Sequence, residues 1–356
     1  MGIFDRIRRA GAPAEAAPWR YPLDRSQDRV YAADFTGDLY VWDIDKTYLA
    51  TDMHSLGAVV RIPFERGVDK LNIAGTEVLL RALRRGPSSG GSYASNPIYF
   101  VSASPPQLRA VLERKMVLDG VEFDGITFKD QLTLVRLRRV QKLTAQVGYK
   151  LAALLLNRAE LPWTVRETLF GDDSESDALI YALYADVVAG RLRGERLVRT
   201  LRRNGTDFED AAYIDELSRD LPTAELVHRV YINMETRKPR AAFDAFGPRL
   251  VACYDTFQMA LMLVQEGKVS AQTAADVARA LLDRPDRQPL GLLRSAFDLV
   301  ERGLLSVETL RGLWPDLHRR HLLPRWVALS DAPGPKLLEQ ADPPGFLTPE
   351  HLLAPE

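Results

Sequence analysis

The chain has 356 residues, 46% of them apolar and 27% charged, with 47 basic side chains against 48 acidic ones. That length accommodates about two domains and a sizeable core, and a net charge of −1 argues against a general affinity for nucleic acid. A single cysteine, Cys253, excludes an internal disulfide and a cysteine-rich metal site, and none of the five histidines has zinc-ligand spacing.

Residues 1–29 read as an N-terminal linker and approach segment, because Pro, Ala and polar residues interrupt any period from residue 11 onward. The opening MGIFDRIRRAG lacks the apolar stretch of a signal peptide, and Arg6 breaks the myristoylation pattern. Ile3, Phe4 and Ile7 can share one helix face beside Arg6, Arg8 and Arg9, a weakly membrane-like arrangement. The plainer reading is a frayed terminus. No apolar run reaches the ~18 residues of a membrane span, so the expectation is a cytoplasmic protein, at most peripheral to a membrane.

Strand-like runs then alternate with helical patterns. LYVW (39–42) is a continuous apolar run, as in a strand buried on both faces of a parallel sheet. Residues 72–86 have helical spacing, and the loop GPSSGGSYASN (86–96) precedes its strand and lacks a phosphate-cradling motif, so it reads as a connector. PIYFVSAS (97–104) is a second strand, 105–120 a helix opened by proline and closed by glycine, and GITFKD (125–130) a third strand. Residues 148–161 are helical, RETLFGDD (166–173) is a strand, 176–190 a helix capped at Ser176, and HRVYIN (228–233) a late strand. This alternation predicts an α/β fold with a doubly wound, Rossmann-like parallel sheet.

After residue 243 helices dominate, and an all-helical C-terminal domain is expected over 243–356, following an α/β domain over 30–242. LVQEGKVSAQTAADV (263–277) echoes LVERGLLSVETLRGL (299–313), with PGFLTPEHLL (344–353) as a third copy: a Ser or Thr that can cap, then a helix. Stacked helical hairpins follow, packed on the sheet or on a protein partner.

Three strands end on chemistry: Asp43 with Asp45, Ser102 with Ser104, and Asp172 with Asp173. Ligands of such sheets bind beyond the carboxyl ends of the strands. Residues two apart on extended backbone point the same way, so Asp43 and Asp45 can face one cation, a metal ion or a lysine. An aspartate can attack phosphorus and form an aspartyl-phosphate, while a second carboxylate serves as general acid and then base. Mg²⁺ suits two such acids and a phosphate, and Lys150 is placed to offset the remaining charge. Asp172 supplies a carboxylate from another strand end, with Asp173 and Asp177 in reserve. Asp52 and His54 follow the first pair, in the cleft or in a loop. The basic runs Arg136 to Arg139 and Arg199 to Arg203 read as solvated helix faces rather than phosphate or lipid sites, and Tyr181, Tyr184 and Tyr213 as core.

Asp43, Asp45 and Thr47 of WDIDKT, with Ser102, Lys150 and GDDSESD (171–177), resemble the four motifs of the haloacid dehalogenase superfamily. The resemblance implies that Asp43 is the nucleophile, that Asp45 is the general acid/base with a backbone carbonyl on Mg²⁺, and that Thr47 supports the loop. It further implies that Ser102 and Thr47 lie on the phosphoryl side, that Lys150 neutralises charge and also touches phosphate, and that Asp172 holds the metal with Asp173 or Asp177. Across roughly residues 34–190, WDIDKTYLATD, NPIYFVSASPPQLRAVL and FGDDSESDALIY are similar to the catalytic domain of the actin-patch phosphatidate phosphatase family. That similarity implies Mg²⁺-dependent removal of phosphate from phosphatidate. Lys46 departs from it where a third acid is usual. The spacing of motifs leaves little room for a cap, and an open site suits a phosphate ester on a macromolecule or on a lipid at a membrane surface better than a small metabolite. A phosphoprotein or soluble-ester phosphatase, and a non-catalytic binding module on the same fold, are the alternatives.

Overall fold

The computed structural model describes residues 23–32, 34–50, 72–87, 94–130, 146–174, 176–236, 238–334 and 345–355. The readings of the first 22 residues, of Asp52 and His54, and of Arg136 to Arg139 lie outside these described residues.

Among the described residues seven strands, numbered in chain order, form one sheet in the order β1-β4-β3-β2-β5-β6-β7. Strands β2 (Gly37–Asp43), β3 (Ile98–Ser102), β4 (Gly125–Lys129), β5 (Val165–Asp172) and β6 (Val227–Asn233) grow from the apolar runs in the sequence. They pair in parallel, each buried on both faces. The fold is therefore α/β with a mostly parallel, doubly wound sheet. From β2 the chain steps to β3 and then β4 on one side, and afterwards to β5, β6 and β7 on the other. The direction reverses between β2 and β5, and such a reversal opens a crevice at the carboxyl ends of the two strands.

Two strands were not legible in the sequence. β1 (Leu23–Gln27) lies in the stretch read as an approach loop and pairs antiparallel with β4. Its sequence LDRSQ has no apolar alternation, and the half-buried edge position asks for none. β7 (Leu250–Cys253) has four buried residues and pairs in parallel with β6, so the sheet extends beyond residue 243, where only helices were expected.

Side chains alternate across the sheet, and each face has its own cover. Helices α3 (Val147–Ala159), α4 (Asp177–Val188), α5 (Gly194–Arg203) and α6 (Phe208–Arg219) pack on Leu39, Val41, Val101 and Leu169. The opposite face carries Tyr40, Trp42, Phe100, Phe170 and Tyr231. It is covered by α1 (Thr76–Arg85) and α2 (Arg109–Leu118), together with α7 (Thr256–Gln265), α8 (Ala271–Leu282), α9 (Pro289–Glu301) and α10 (Val307–Arg319). On that face Trp42 stacks on Phe170 at 4.1 Å and Phe170 on Tyr231 at 5.2 Å, an aromatic row across three adjacent strands. Burial of a residue such as Phe170 is worth roughly 1.5–3 kcal/mol.

The helical echo is present in α7–α8 and α9–α10. Ser270 accepts from the Thr273 amide and Ser306 from the Thr309 amide, one cap at the same point of each hairpin. The third copy differs. Glu350–Leu352 forms a single 3₁₀ turn, and the segment docks on the other face of the sheet. Leu347 N and Thr348 N donate to buried Asp186 of α4 at 3.0 and 2.8 Å, and Ala354 N donates to Thr200 of α5 at 3.1 Å. No helix among the described residues is long and apolar enough to cross a membrane.

Helices α7–α10 thus pack on one another and share one continuous core with this face of the sheet. A chain ending at residue 243 should lack cooperative unfolding, with a featureless near-UV CD spectrum and strong binding of a hydrophobic dye. A sharp urea transition in that fragment would show that the sheet stands without them.

Candidate active site

The crevice between β2 and β5 collects most of the residues singled out in the sequence. Asp43 is the last residue of β2, Asp172 the last of β5, and Asp177 the first of α4. Each offers a carboxylate oxygen, all within 4.8 Å of one another, and all three residues are buried. Lys150, in the first turn of α3 and 1% exposed, reaches between two of them. Its Nζ donates to Asp43 Oδ1 at 2.7 Å and to Asp177 Oδ1 at 2.6 Å. A buried ammonium is tolerated only when paired in this way. Three carboxylates thus meet beside one ammonium in a buried, all-oxygen donor set. That set matches a hard divalent cation.

Local geometry explains why the acids converge. Asp177 Oδ2 accepts from the Asp172 amide at 3.3 Å, which ties α4 back to the end of β5. Gly171 makes the approach possible: a Cβ there would meet Asp177 Oδ2 at 2.5 Å and Tyr181 at 2.8 Å. Asp172 Oδ1 accepts from Ser174 N at 2.5 Å and from the Ser174 hydroxyl. Burial, reinforced by the neighbouring Asp177 carboxylate, holds the Tyr181 phenol well above its ordinary range, so it stays neutral and donates to Phe170 O at 3.1 Å.

Asp45 and Asp173 stand apart from the three-acid group. Ser102 and Ser104, at and beyond the end of β3, donate to Asp45 Oδ2 at 3.3 and 2.9 Å. Thr47 Oγ1 is 3.4 Å from Asp43 Oδ2 and closes the Asp43–Thr47 loop on itself. Asp173 looks away from the other acids: its carboxylate accepts from Glu235 N at 2.9 Å and from Thr236 N at 2.8 Å, in the loop after β6. Sequence reasoning left Asp173 and Asp177 open as the further acid. The geometry groups Asp177 with Asp43 and Asp172.

Two residues outside the expected set shape the site. Ser104 had been noted only as a strand end. Asn233, the last residue of β6, donates from Nδ2 to Lys46 O at 3.0 Å, while its own carbonyl accepts from Asp173 N at 3.0 Å. Lys46 sits at φ 56°, a left-handed conformation that costs a non-glycine residue roughly 1–2 kcal/mol. Asn233 therefore holds a strained peptide between Asp45 and Thr47. Its position at the carboxyl edge of the sheet was a usable signal, though the tie to a residue 187 positions away was not.

A cavity of about 280 Å³ opens at the same edge beyond β7, lined by Tyr254, Asp255, Arg287, Arg294 and Ser295 among others. Burial raises the Asp255 carboxyl, which caps α7 at Gln258 N (3.0 Å) and accepts from Ser295 on α9 at 2.5 Å. It serves as a joint between helices.

Residues 39–194, from β2 to the first residue of α5, match the family model of the catalytic domain of phosphatidate phosphatase APP1. The match contains Asp43, Asp45, Thr47, Ser102, Lys150, Asp172, Asp173 and Asp177, and supports a phosphatase-type function for this segment. No curated protein and no solved structure matches the chain significantly.

In metal-free buffer, Lys150→Ala should lower unfolding free energy by about 3–5 kcal/mol, because it removes the ammonium that bonds two buried acids. Urea denaturation measures this, and a loss below about 1 kcal/mol would mean the acids do not need the ammonium. Asn233→Ala should cost about 1 kcal/mol in the natural chain, and less in a Lys46→Gly background, where the left-handed backbone is free of strain. Equal losses in both backgrounds would separate Asn233 from the Lys46 peptide.

Proposed function

We propose that this protein is a Mg²⁺-dependent phosphomonoester hydrolase of the haloacid dehalogenase type, working through an aspartyl-phosphate, with phosphatidate as its leading substrate. The carrying observation is the buried meeting of Asp43, Asp172 and Asp177 around Lys150. An all-oxygen acidic group beside a strand-end aspartate has the donor chemistry of a Mg²⁺ phosphotransfer site. Asp43, Asp172 and Asp177 would hold the ion, with the Asp45 carbonyl as a further ligand. Mg²⁺ would supply charge neutralisation for the phosphoryl oxygens.

In the first step a carboxylate oxygen of Asp43 attacks phosphorus, and the bond from phosphorus to the ester oxygen breaks. Protonated Asp45 gives its proton to the departing alkoxide, which leaves as an alcohol. Asp45, now a carboxylate, takes a proton from water. That water attacks the phosphorus of the aspartyl-phosphate and releases inorganic phosphate with Asp43 restored. Lys150 fixes the Asp43 carboxylate and offsets charge throughout, and Ser102 and Thr47 meet the phosphoryl oxygens. A general acid of this kind contributes about 10²–10⁴-fold.

The family match is what favours a lipid phosphate over other esters, and a membrane-peripheral, cytoplasmic setting accords with it. Catalysis is assigned to residues within 30–242, while 243–356, besides covering the sheet, is the region left for contact with a protein partner. Phosphate release from phosphatidate vesicles should exceed release from phosphopeptides and from soluble sugar phosphates, vanish in EDTA, and return with Mg²⁺. Asp43→Asn should remove at least about a thousandfold of the rate. Full activity in EDTA or in Asp43→Asn would sink the mechanism, while preference for phosphopeptides or metabolites would keep the chemistry and replace the substrate.

A further inference from the structure

The two serines at the end of β3 address the same atom, Asp45 Oδ2, but not equally. Ser104 Oγ lies 2.9 Å from it and Ser102 Oγ 3.3 Å, and the Ser102 oxygen also accepts from Ser104 N at 3.0 Å. A hydroxyl has one proton to donate. If Ser102 turns that proton to a phosphoryl oxygen, it cannot also hold Asp45. Ser104 can, and it is built to stay. It is fully buried, and Pro105 follows it, which restricts its backbone to the extended region.

We propose that Ser104 is a positioning residue: its hydroxyl holds Asp45 Oδ2 throughout turnover and so fixes the direction of the Asp45 carboxyl toward the ester oxygen, while Ser102 is released to the phosphate. The inference rests on the hydrolase reading above and assigns Ser104 no contact with substrate. Because Asp45 delivers a proton to the leaving oxygen, its aim matters most for an alkyl ester, whose alkoxide leaves poorly. It matters little for a nitrophenyl ester, whose phenolate leaves without help. A misplacement of about 1 Å at a reacting group costs on the order of a hundredfold.

The test compares kcat/KM for p-nitrophenyl phosphate and for phosphatidate in mixed micelles, in the full chain with Mg²⁺. This parameter covers the steps through departure of the leaving group, so the later use of Asp45 as base does not enter it. S104A should lose about 10–100-fold on phosphatidate and less than about threefold on the nitrophenyl ester. S104T, which keeps the hydroxyl, should restore the natural ratio. If circular dichroism shows S104A unfolded, S104C replaces it and should shift the ratio the same way, because a thiol is a weak donor. Equal losses on both esters, or an S104T ratio like that of S104A, would overturn the positioning role while leaving the hydrolase reading intact. No turnover of either ester by the natural chain would overturn both.

Discussion

One ammonium decides what the crevice can be. Lys150 enters from α3 and bonds acids that belong to β2 and to α4, and so joins the two halves of the sheet where its winding reverses. Without a cation, carboxylates this close and this deep would repel one another, and the strand ends would part or the acids would protonate. The lysine offsets part of that charge and holds two of the acids in place. Much of the surrounding architecture serves that meeting. Gly171 lets Asp177 come close, the Asp172 amide receives it, and Asn233 fixes the peptide next to Asp45.

The five inner parallel strands were legible because strands buried on both faces must be apolar throughout, and LYVW or IYFV can be little else. The site was legible for a related reason. Buried strands have no ordinary use for terminal acids, so Asp43 and Asp172 stood out against their surroundings. What escaped detection lacked such contrast. β1 is a polar edge strand that exists through pairing with β4, and β7 is only four residues long. Ser104 and Asn233 are common residue types whose meaning comes from partners far along the chain. Asp173 shows how little an acid's place in a motif says about where its side chain turns. An acid beside a motif invites a metal role, yet its oxygens satisfy the backbone of the loop after β6.

The C-terminal region belongs to both faces of the sheet. Helices α7–α10 share a core with Trp42, Phe170 and Tyr231, and the segment around Thr348 closes on α4, the helix that carries Asp177. The stretch that matches the family model ends at residue 194, well short of these elements. The matched stretch is therefore less than the set of elements that buries the sheet.

The aromatic row of Trp42, Phe170 and Tyr231 has a consequence for biosynthesis. Domains form in step with translation, amino end first, and this surface is complete once β6 has emerged. The helices α7–α10 that shield it begin only at Thr256. Throughout that interval on the ribosome the face has only α1 and α2 to cover it, and contacts so distant along the chain close slowly. The nascent polypeptide is a natural client for chaperones at that stage.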